Sequence, residues 1–457
     1  MFEKILVANR GEIAVRIIRA CKELNIRSVA VYSEADANAM HTQMADEAVC
    51  IGKAPSEESY SRIDRIISAA EITDVDAVHP GNGFLSENPQ FADVCENCNI
   101  RFIGPTSKAM NALGNKITSR ALAKKAGVPI VPGSDGAVNN EQDALATAKR
   151  IGYPVIIKAA TGRASRTAHN DGALIKSFHT TRAEAEKFFG NSAVYIEKFI
   201  DNAHHIEIQI FGDNKGHIVH LGERDCSIQR DGQKLIEESP SPFIENKHKD
   251  LRKKLCKAAL RIAQATRYTN AGTVEFAVDE KGNFYFLEVS KRIQTEHPVT
   301  EEITGLDLVK LQIMVAMGEP LRLSQGDIRF TGHAIQCRIH AEDPFDKFRP
   351  CPGRIQTYYP PGGRGVRLDS HVHSGCDIPP AYDSLIAKLI VHGKDRREAL
   401  DIMSCALADC KITGIKTTLP FQQAILQDPN FRRGVYAASF IEKLLGSGRR
   451  ELPEENA

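Results

Sequence analysis

Apolar and polar positions follow two different periods along this chain, and the change of period separates strands from helices. KILVAN is a compact apolar run, RGE a turn, IAVRIIRACKELN carries apolar residues at helical spacing, and SVAVYS is again strand-length. Such patterns keep alternating to RFIGP, ending at residue 105, which predicts a doubly wound parallel sheet. Its carboxyl edge could hold a ligand, but ANRGE lacks the full glycine fingerprint of a dinucleotide site, so a structural or substrate-side sheet is expected. A helical connector, SKAMNALGNKITSRALAKKAG, leads to VPIVPGSDG, whose prolines and glycines mark a boundary. Beyond it, YPVIIKA and AVYIEKFI read as strands around the charged helix TTRAEAEKFFG. HIEIQIFGD, HIVHLGERDCSIQR and QKLIEESP alternate in strand fashion, and KHKDLRKKLCKAALRIAQAT is a helix. TVEFAVDEKGNFYFLEVS is a hairpin turning at Asp279, Glu280, Lys281 and Gly282.

Composition narrows the function classes. With 59 Lys and Arg against 58 Asp and Glu, no bulk field points to nucleic acid or an anionic membrane. No apolar run approaches a membrane span, and MFEKILVANRGE enters structure without a signal-peptide core, so a cytoplasmic protein is expected. A length of 457 residues suggests about three domains. The 11 cysteines suit reduced thiols better than a disulfide framework. Cys95 and Cys98 form a C-x-x-C without a second pair, for which helix-end packing is favoured over metal. His371 and His373 could share one strand face as metal ligands, but without carboxylate or cysteine companions an ordinary pair is favoured.

Two features carry chemistry. VIIKAATGRASRTAHND is an apolar strand ending in Lys158 and opening into a flexible loop, the arrangement in which an ammonium meets phosphates as the chain leaves a sheet. Only Gly162 in that loop would let backbone N–H groups close on an anion. In the hairpin, Glu275 and Glu288 fall on neighbouring positions of one sheet, both inside apolar runs. Left charged and unpaired they would cost several kcal/mol, so a divalent cation such as magnesium is favoured over satisfaction by Arg292 or lysines. Lys116, Lys158 and Lys234 supply partners for phosphate.

The motifs ILVANRGEIAVRIIRACKEL, HPGNGFLSEN, GVPIVPGSDG, YPVIIKA, HIEIQIFGD, GERDCSIQR, RIQTEHPVTE, CRIHAEDP and DSLIAKLI resemble the biotin carboxylase family of ATP-grasp enzymes, over essentially the whole chain to about residue 446. The family serves acetyl-CoA, pyruvate and propionyl-CoA carboxylases. The resemblance implies an α/β chain with an ATP-grasp fold, an N-terminal Rossmann-like (preATP-grasp) sheet over 1–113 and an ATP-grasp domain over 114–330 with a mobile lid at about 131–203. A C-terminal β-rich biotin carboxylase domain over 331–446 and a tail at 447–457 complete it. It further implies ATP held by Lys116 and Lys158 at the phosphates, Glu197, Lys198, Phe199 and Ile200 at the adenine, and His205 and Gln229 on the ribose side. Magnesium or manganese would sit on Glu275, Glu288 and Ser290. Bicarbonate would be clamped by Arg292, Gln294, the backbone of Thr295 and Lys234, with Glu296 as base and Arg338 at the biotin enolate. Biotin would arrive on a separate carrier protein, since no A-M-K-M motif occurs, and a carboxyltransferase would use the product. A homodimer is the common family assembly.

The chain also departs from the family pattern. TGRAS stands where the family carries a run of four or five glycines followed by Arg-Gly-Met, and Ser290, Lys291 and Thr295 stand for asparagine, threonine and valine. Asp231 and Gly232 stand for Arg-His, Asn82 and Ala381 for tyrosines, and Gln336 for glutamate. These departures fall around the reacting atoms and predict a wider, differently charged pocket and an impaired or modified carboxylase. Two other readings stay open: a repurposed carboxylate–amine ligase working through an acyl phosphate, and a nucleotide-binding scaffold without turnover.

Overall fold

The fold was analysed in a computed structural model that describes residues 1–162 and 164–446; Arg163 of the TGRAS segment and the expected tail lie outside the described residues. The alternating pattern at the start forms a five-stranded parallel sheet in the order Glu47–Gly52, Arg27–Ser33, Lys4–Val7, Ala77–His79, Arg101–Phe102. Ile5, Leu6 and Val7 are fully buried, as a central parallel strand covered on both faces requires. The helix Gly11–Glu23 buries Ile13, Ala14, Ile17 and Ile18 against it. Cys95 is buried in the helix Pro89–Asn97 and Cys98 caps it; both are free thiols, in keeping with helix-end packing. His371 and His373 lie beyond the end of the strand Val366–Ser370, His371 half-buried and His373 exposed, so they do not share a strand face.

A small antiparallel sheet places Val155–Ala159 between Ser165–Ala168 and Val194–Lys198, under the helices Glu141–Ile151 and Asp171–Phe189. Asn140 and Asn170 cap those helices by accepting from the N–H groups of Asp143 and Ala173. The expected loop after Lys158 is a hairpin instead: Ala159 N–H bonds Ala164 O at 2.9 Å, and Arg166 leaves the turn to meet Glu184 at 2.6 Å. Polar residues misled the reading because a two-sided lid sheet tolerates them on its open face.

The third sheet has eight strands, ordered Phe284–Ser290, Asn270–Val278, His204–Gly212, Ile218–Arg230, Gln233–Ser239, His333–His340, Leu385–Gly393 and Val366–Ser370. Strands from the central and C-terminal parts of the chain thus run in one sheet, joined where Glu237 pairs with Gln336 and Glu238 with Ile335. One face is dry: Ile206, Ile208, Ile210, Val274 and Phe276 pack on Leu255, Ala259 and Ile262 of the helix Lys249–Ala265. Asp231 and Gly232, with φ of +50° and +77°, link Arg230 to Gln233 as a two-residue turn, the geometry that favours Asp-Gly. Asp231 therefore turns out to solvent, its side chain 81 % exposed, and is not a pocket residue as its place in the motif suggested.

At the joint, Glu238 is 1 % exposed and accepts from Arg396 at 2.7 Å, His333 at 2.6 Å and Tyr436 at 2.5 Å. Burial alone would raise its carboxyl, but the Arg396 charge and the His333 bond outweigh it and hold the group down to about 2. A depressed folded value means the stabilisation is present above the ordinary carboxylate range and is lost as pH falls through about 2. Glu238→Gln is expected to lower the thermal unfolding midpoint at neutral pH, with the gap to the parent narrowing in melts taken toward pH ~3.

Candidate active site

The open face of the eight-stranded sheet carries charge that no solvent reaches. Arg224, on the strand Ile218–Arg230, is 0 % exposed, and a guanidinium in that position must have its donors filled. It donates to Gln209 Oε1 at 2.7 Å, Thr300 Oγ1 and Thr273 Oγ1 at 3.0 Å, Gln294 Oε1 at 2.5 Å and Glu207 Oε2 at 3.2 Å. Glu207 presents its other oxygen to Lys234 and, at 3.2 Å, to His205.

From Lys234 the chain of ion pairs continues. Its ammonium reaches Glu296 at 2.5 Å, Glu296 accepts from Arg338 at 3.0 Å, and Arg338 Nε donates to Glu237 at 2.5 Å. Gln336 closes the row by donating to Glu237 at 3.1 Å. Burial pushes the Glu296 carboxyl up, but the Lys234 and Arg338 charges prevail and hold it at about 2. Burial wins at Glu237, which is raised despite Arg338. The strand joint places both ends: Lys234 lies on one partner strand and Arg338 on the next.

Around this row sits the segment after Ser290. Gln294 is occupied in full, accepting from Arg224 and donating to Glu275 at 2.8 Å and Ser290 at 3.1 Å. Thr295 O accepts from Lys388 at 3.2 Å and Gln336 at 3.4 Å, and its hydroxyl accepts from Asn82 at 3.2 Å. Arg292 is freer, bonding Ile293 O at 3.2 Å and lying 3.6 Å from Glu87. Lys291 is buried, its N–H on Glu87 at 2.8 Å. Ala381 is exposed.

The remaining predicted residues are carried by the eight-stranded sheet, the helix Lys116–Lys125 and the small antiparallel sheet. Glu275 and Glu288 are directly opposed across the hairpin, as expected, but Glu288 has a side chain 45 % exposed, so only Glu275 is embedded. Glu275 accepts from His205 at 2.9 Å and Ser290 at 2.7 Å. Burial disfavours the His205 cation, yet its bonds to Glu207 and Glu275 push it up to about 9. Gln229 pairs in register with Lys234. Lys116, at the start of the helix Lys116–Lys125, donates to Gly162 O at 3.0 Å and lies 3.8 Å from Glu288. Lys158 bonds Glu197, which also holds Arg120 at 2.8 Å. Lys198 reaches the carbonyl of Tyr153 at 2.7 Å, while the N–H of Phe199 bonds Pro154 O at 3.1 Å, both within the segment of the small sheet. Ile200 follows where the strand ends.

Three models of known families match successive parts of the chain: "Biotin carboxylase, N-terminal domain" over residues 1–110, "Carbamoyl-phosphate synthase L chain, ATP binding domain" over 115–324 and "Biotin carboxylase C-terminal domain" over 336–443. The biotin carboxylase of Nostoc sp. is 54 % identical over 97 % of this chain and 99 % of its own length. The chain belongs to the biotin carboxylase family. Biotin carboxylase 1 of Bacillus subtilis is 52 % identical over 97 % of this chain and 98 % of its own. Among solved structures, the biotin carboxylase domain dimer of Hydrogenobacter thermophilus 2-oxoglutarate carboxylase, in complex with MgADP, ADP and bicarbonate, superposes with a TM-score of 0.94 at 48 % identity, over 97 % of this chain and 98 % of that one. A biotin carboxylase complex from Campylobacter jejuni gives 0.94 at 45 % identity, over 97 % and 99 %. The ATP-grasp fold and the N-terminal sheet expected from the motifs are those of this family.

Reading the sequence for motifs passed over Arg120, Glu207, Arg224, Glu237 and Lys388. A signal for two of them existed: HIEIQIFGD sets Glu207 inside an apolar run, and HLGERDCSIQR sets Glu223, Arg224 and Asp225 in succession, so that charge must fall on both faces of a strand. Arg224→Met is expected to destabilise the fold by about 3–5 kcal/mol in denaturant unfolding, because it strips a buried partner from Glu207.

Proposed function

We propose that the chain activates bicarbonate with ATP, as carboxyphosphate, and passes the carboxyl group to the ureido nitrogen of biotin carried on a separate protein. The observation that supports this most is the unbroken row Lys234, Glu296, Arg338, Glu237, whose Glu296 lies in the same segment as Arg292. Arg292, whose side chain bonds Ile293 O and lies 3.6 Å from Glu87, would offer a planar fork to a small carboxylate, together with Gln294, the backbone of Thr295 and Lys234. Glu296 is the base: Lys234 and Arg338 keep it ionised, and it grows more basic as Lys234 turns to the substrate. Arg338 meets negative charge developing on the ureido oxygen.

ATP fits between lid and sheet, with Lys116 and Lys158 at its phosphates, the Glu197 to Ile200 segment at the adenine, and His205 and Gln229 toward the ribose. Glu275 and Glu288, opposed carboxylates that repel unless a cation joins them, form with Ser290 a hard oxygen set suited to magnesium or manganese. When bound, that ion neutralises phosphoryl charge. The same reading includes a homodimer, a biotin carboxyl carrier protein and a carboxyltransferase as partners, and, with ATP as substrate and free cysteines, a cytoplasmic setting.

A second reading has one supporting contact. Asn82 and Thr295, two departures from the family pattern, hydrogen-bond each other beside the clamp and give its rim a polar surface, which suits an amine acceptor or a larger acid. An ADP-release assay separates the readings. Release dependent on bicarbonate and biotin is expected, with Arg338→Ala lowering biotin-dependent turnover on the order of a hundredfold or more while MgADP binding persists. Release that needs a different acid or an amine supports the ligase, none with any acceptor supports the scaffold, and unchanged turnover in Arg338→Ala removes its assigned role.

A further inference from the structure

Glu197 is 3 % exposed, yet it holds two cations. Its Oε2 accepts from Arg120 Nη1 at 2.8 Å, and its Oε1 from Lys158. Arg120 comes from the helix Lys116–Lys125 and is fixed a second time, through Nη2 on the carbonyl of Val131 at 2.9 Å. Its guanidinium also lies 5.3 Å from the centre of the Tyr195 ring. Lys158 is the looser partner, with a side chain 22 % exposed against 6 % for Arg120.

The trio carries one positive charge in surplus. A lysine cannot hold a buried carboxylate and a phosphate at full strength together, and a carboxylate left alone in the interior is strongly destabilising. If Lys158 were the sole partner of Glu197, drawing it to a nucleotide would leave such a carboxylate behind. With Arg120 in place the acid stays neutralised, and the more exposed cation is the one that can leave.

We propose that Arg120 is a positioning residue for nucleotide phosphate: it takes over the charge of Glu197 and thereby releases Lys158. This rests on the reading that Lys158 meets ATP phosphate. The rest of the site is built by the same rule, since Glu207 keeps Arg224 and Glu296 keeps Arg338 when Lys234 moves. Those arginines also shape the carboxylation site, whereas the bonds of Arg120 go to Glu197 and Val131, so its effect on the nucleotide can be measured separately.

The test is calorimetric titration of the full chain with MgADP and, in parallel, with adenosine, which has no phosphate to recruit Lys158. In Arg120→Met the MgADP dissociation constant is expected to rise on the order of tenfold or more while adenosine affinity stays put. Arg120→Lys should recover part of the loss, and Arg120→Met with Glu197→Gln most of it, because the second change removes the stranded charge. Equal MgADP affinity in Arg120→Met overturns the proposal, and so does an equal loss for adenosine and MgADP, which marks a merely structural role. Should Arg120→Met fail to fold, Arg120→Lys decides: its MgADP dissociation constant should rise above the parent's while adenosine affinity stays put, and an unchanged MgADP constant refutes the idea. A parent chain that ignores MgADP removes the nucleotide reading itself, whereas a parent that binds it with Arg120→Met unaffected removes only the role of Arg120.

Discussion

Glu207, Glu237 and Glu296 are 0 %, 0 % and 2 % exposed, and the architecture around them follows from the need to keep such groups paired. Arg224, Lys234 and Arg338 do this from three neighbouring strands of one sheet. If the strand Gln233–Ser239 did not pair with His333–His340, Arg338 would lie in a separate body and Glu237 and Glu296 would lose their shared cation. The continuous eight-stranded sheet is therefore an electrostatic requirement of the site as well as a packing solution. The dry face supplies the hydrophobic stabilisation that offsets the desolvation of the other.

The N-terminal sheet is tied to the same point. Lys388, fully buried on the strand Leu385–Gly393, bonds Glu12 at 2.9 Å and the carbonyl of Thr295 at 3.2 Å. One ammonium thus fixes the first helix of the chain, the last sheet and the loop that carries Arg292 and Glu296. Asn9 adds a second tie by donating to the carbonyl of Asn82 at 2.7 Å, which holds Asn82 within reach of Thr295.

What the sequence made legible was whatever has a period or a turn signature. The parallel opening, the hairpin and the opposition of Glu275 and Glu288 follow from apolar spacing, because strand register is fixed by which face is buried. Lys158 was visible because it interrupts an apolar run. Arg120 was not, since a charged residue in the alkaline helix KITSRALAKK looks like solvent-facing surface until Glu197 and the Val131 carbonyl are folded against it. Glu288 was misjudged for the opposite reason: apolar neighbours in sequence do not bury a residue on an edge strand. Arg224 sits in a motif, but its partners come from four other stretches of chain, and no spacing rule brings them together.

The residues expected to depart from the family pattern do not form one class once their contacts are known. Asp231 and Gly232 serve a turn and face away from the site. Ser290 donates to Glu275 beside Gln294, and Gln336 donates to Thr295 O beside Lys388 and to the Glu237 oxygen that Arg338 does not hold. A glutamate at 336 would set a further carboxylate against Glu237, whose proton affinity is already raised by burial; the amide in its place donates where an acid would repel. Asn82 and Thr295 are different, because they satisfy each other and neither bonds Arg292. The charge row is thus held together by internal pairing, and Asn82 and Thr295 stand apart from it as a pair satisfied by each other.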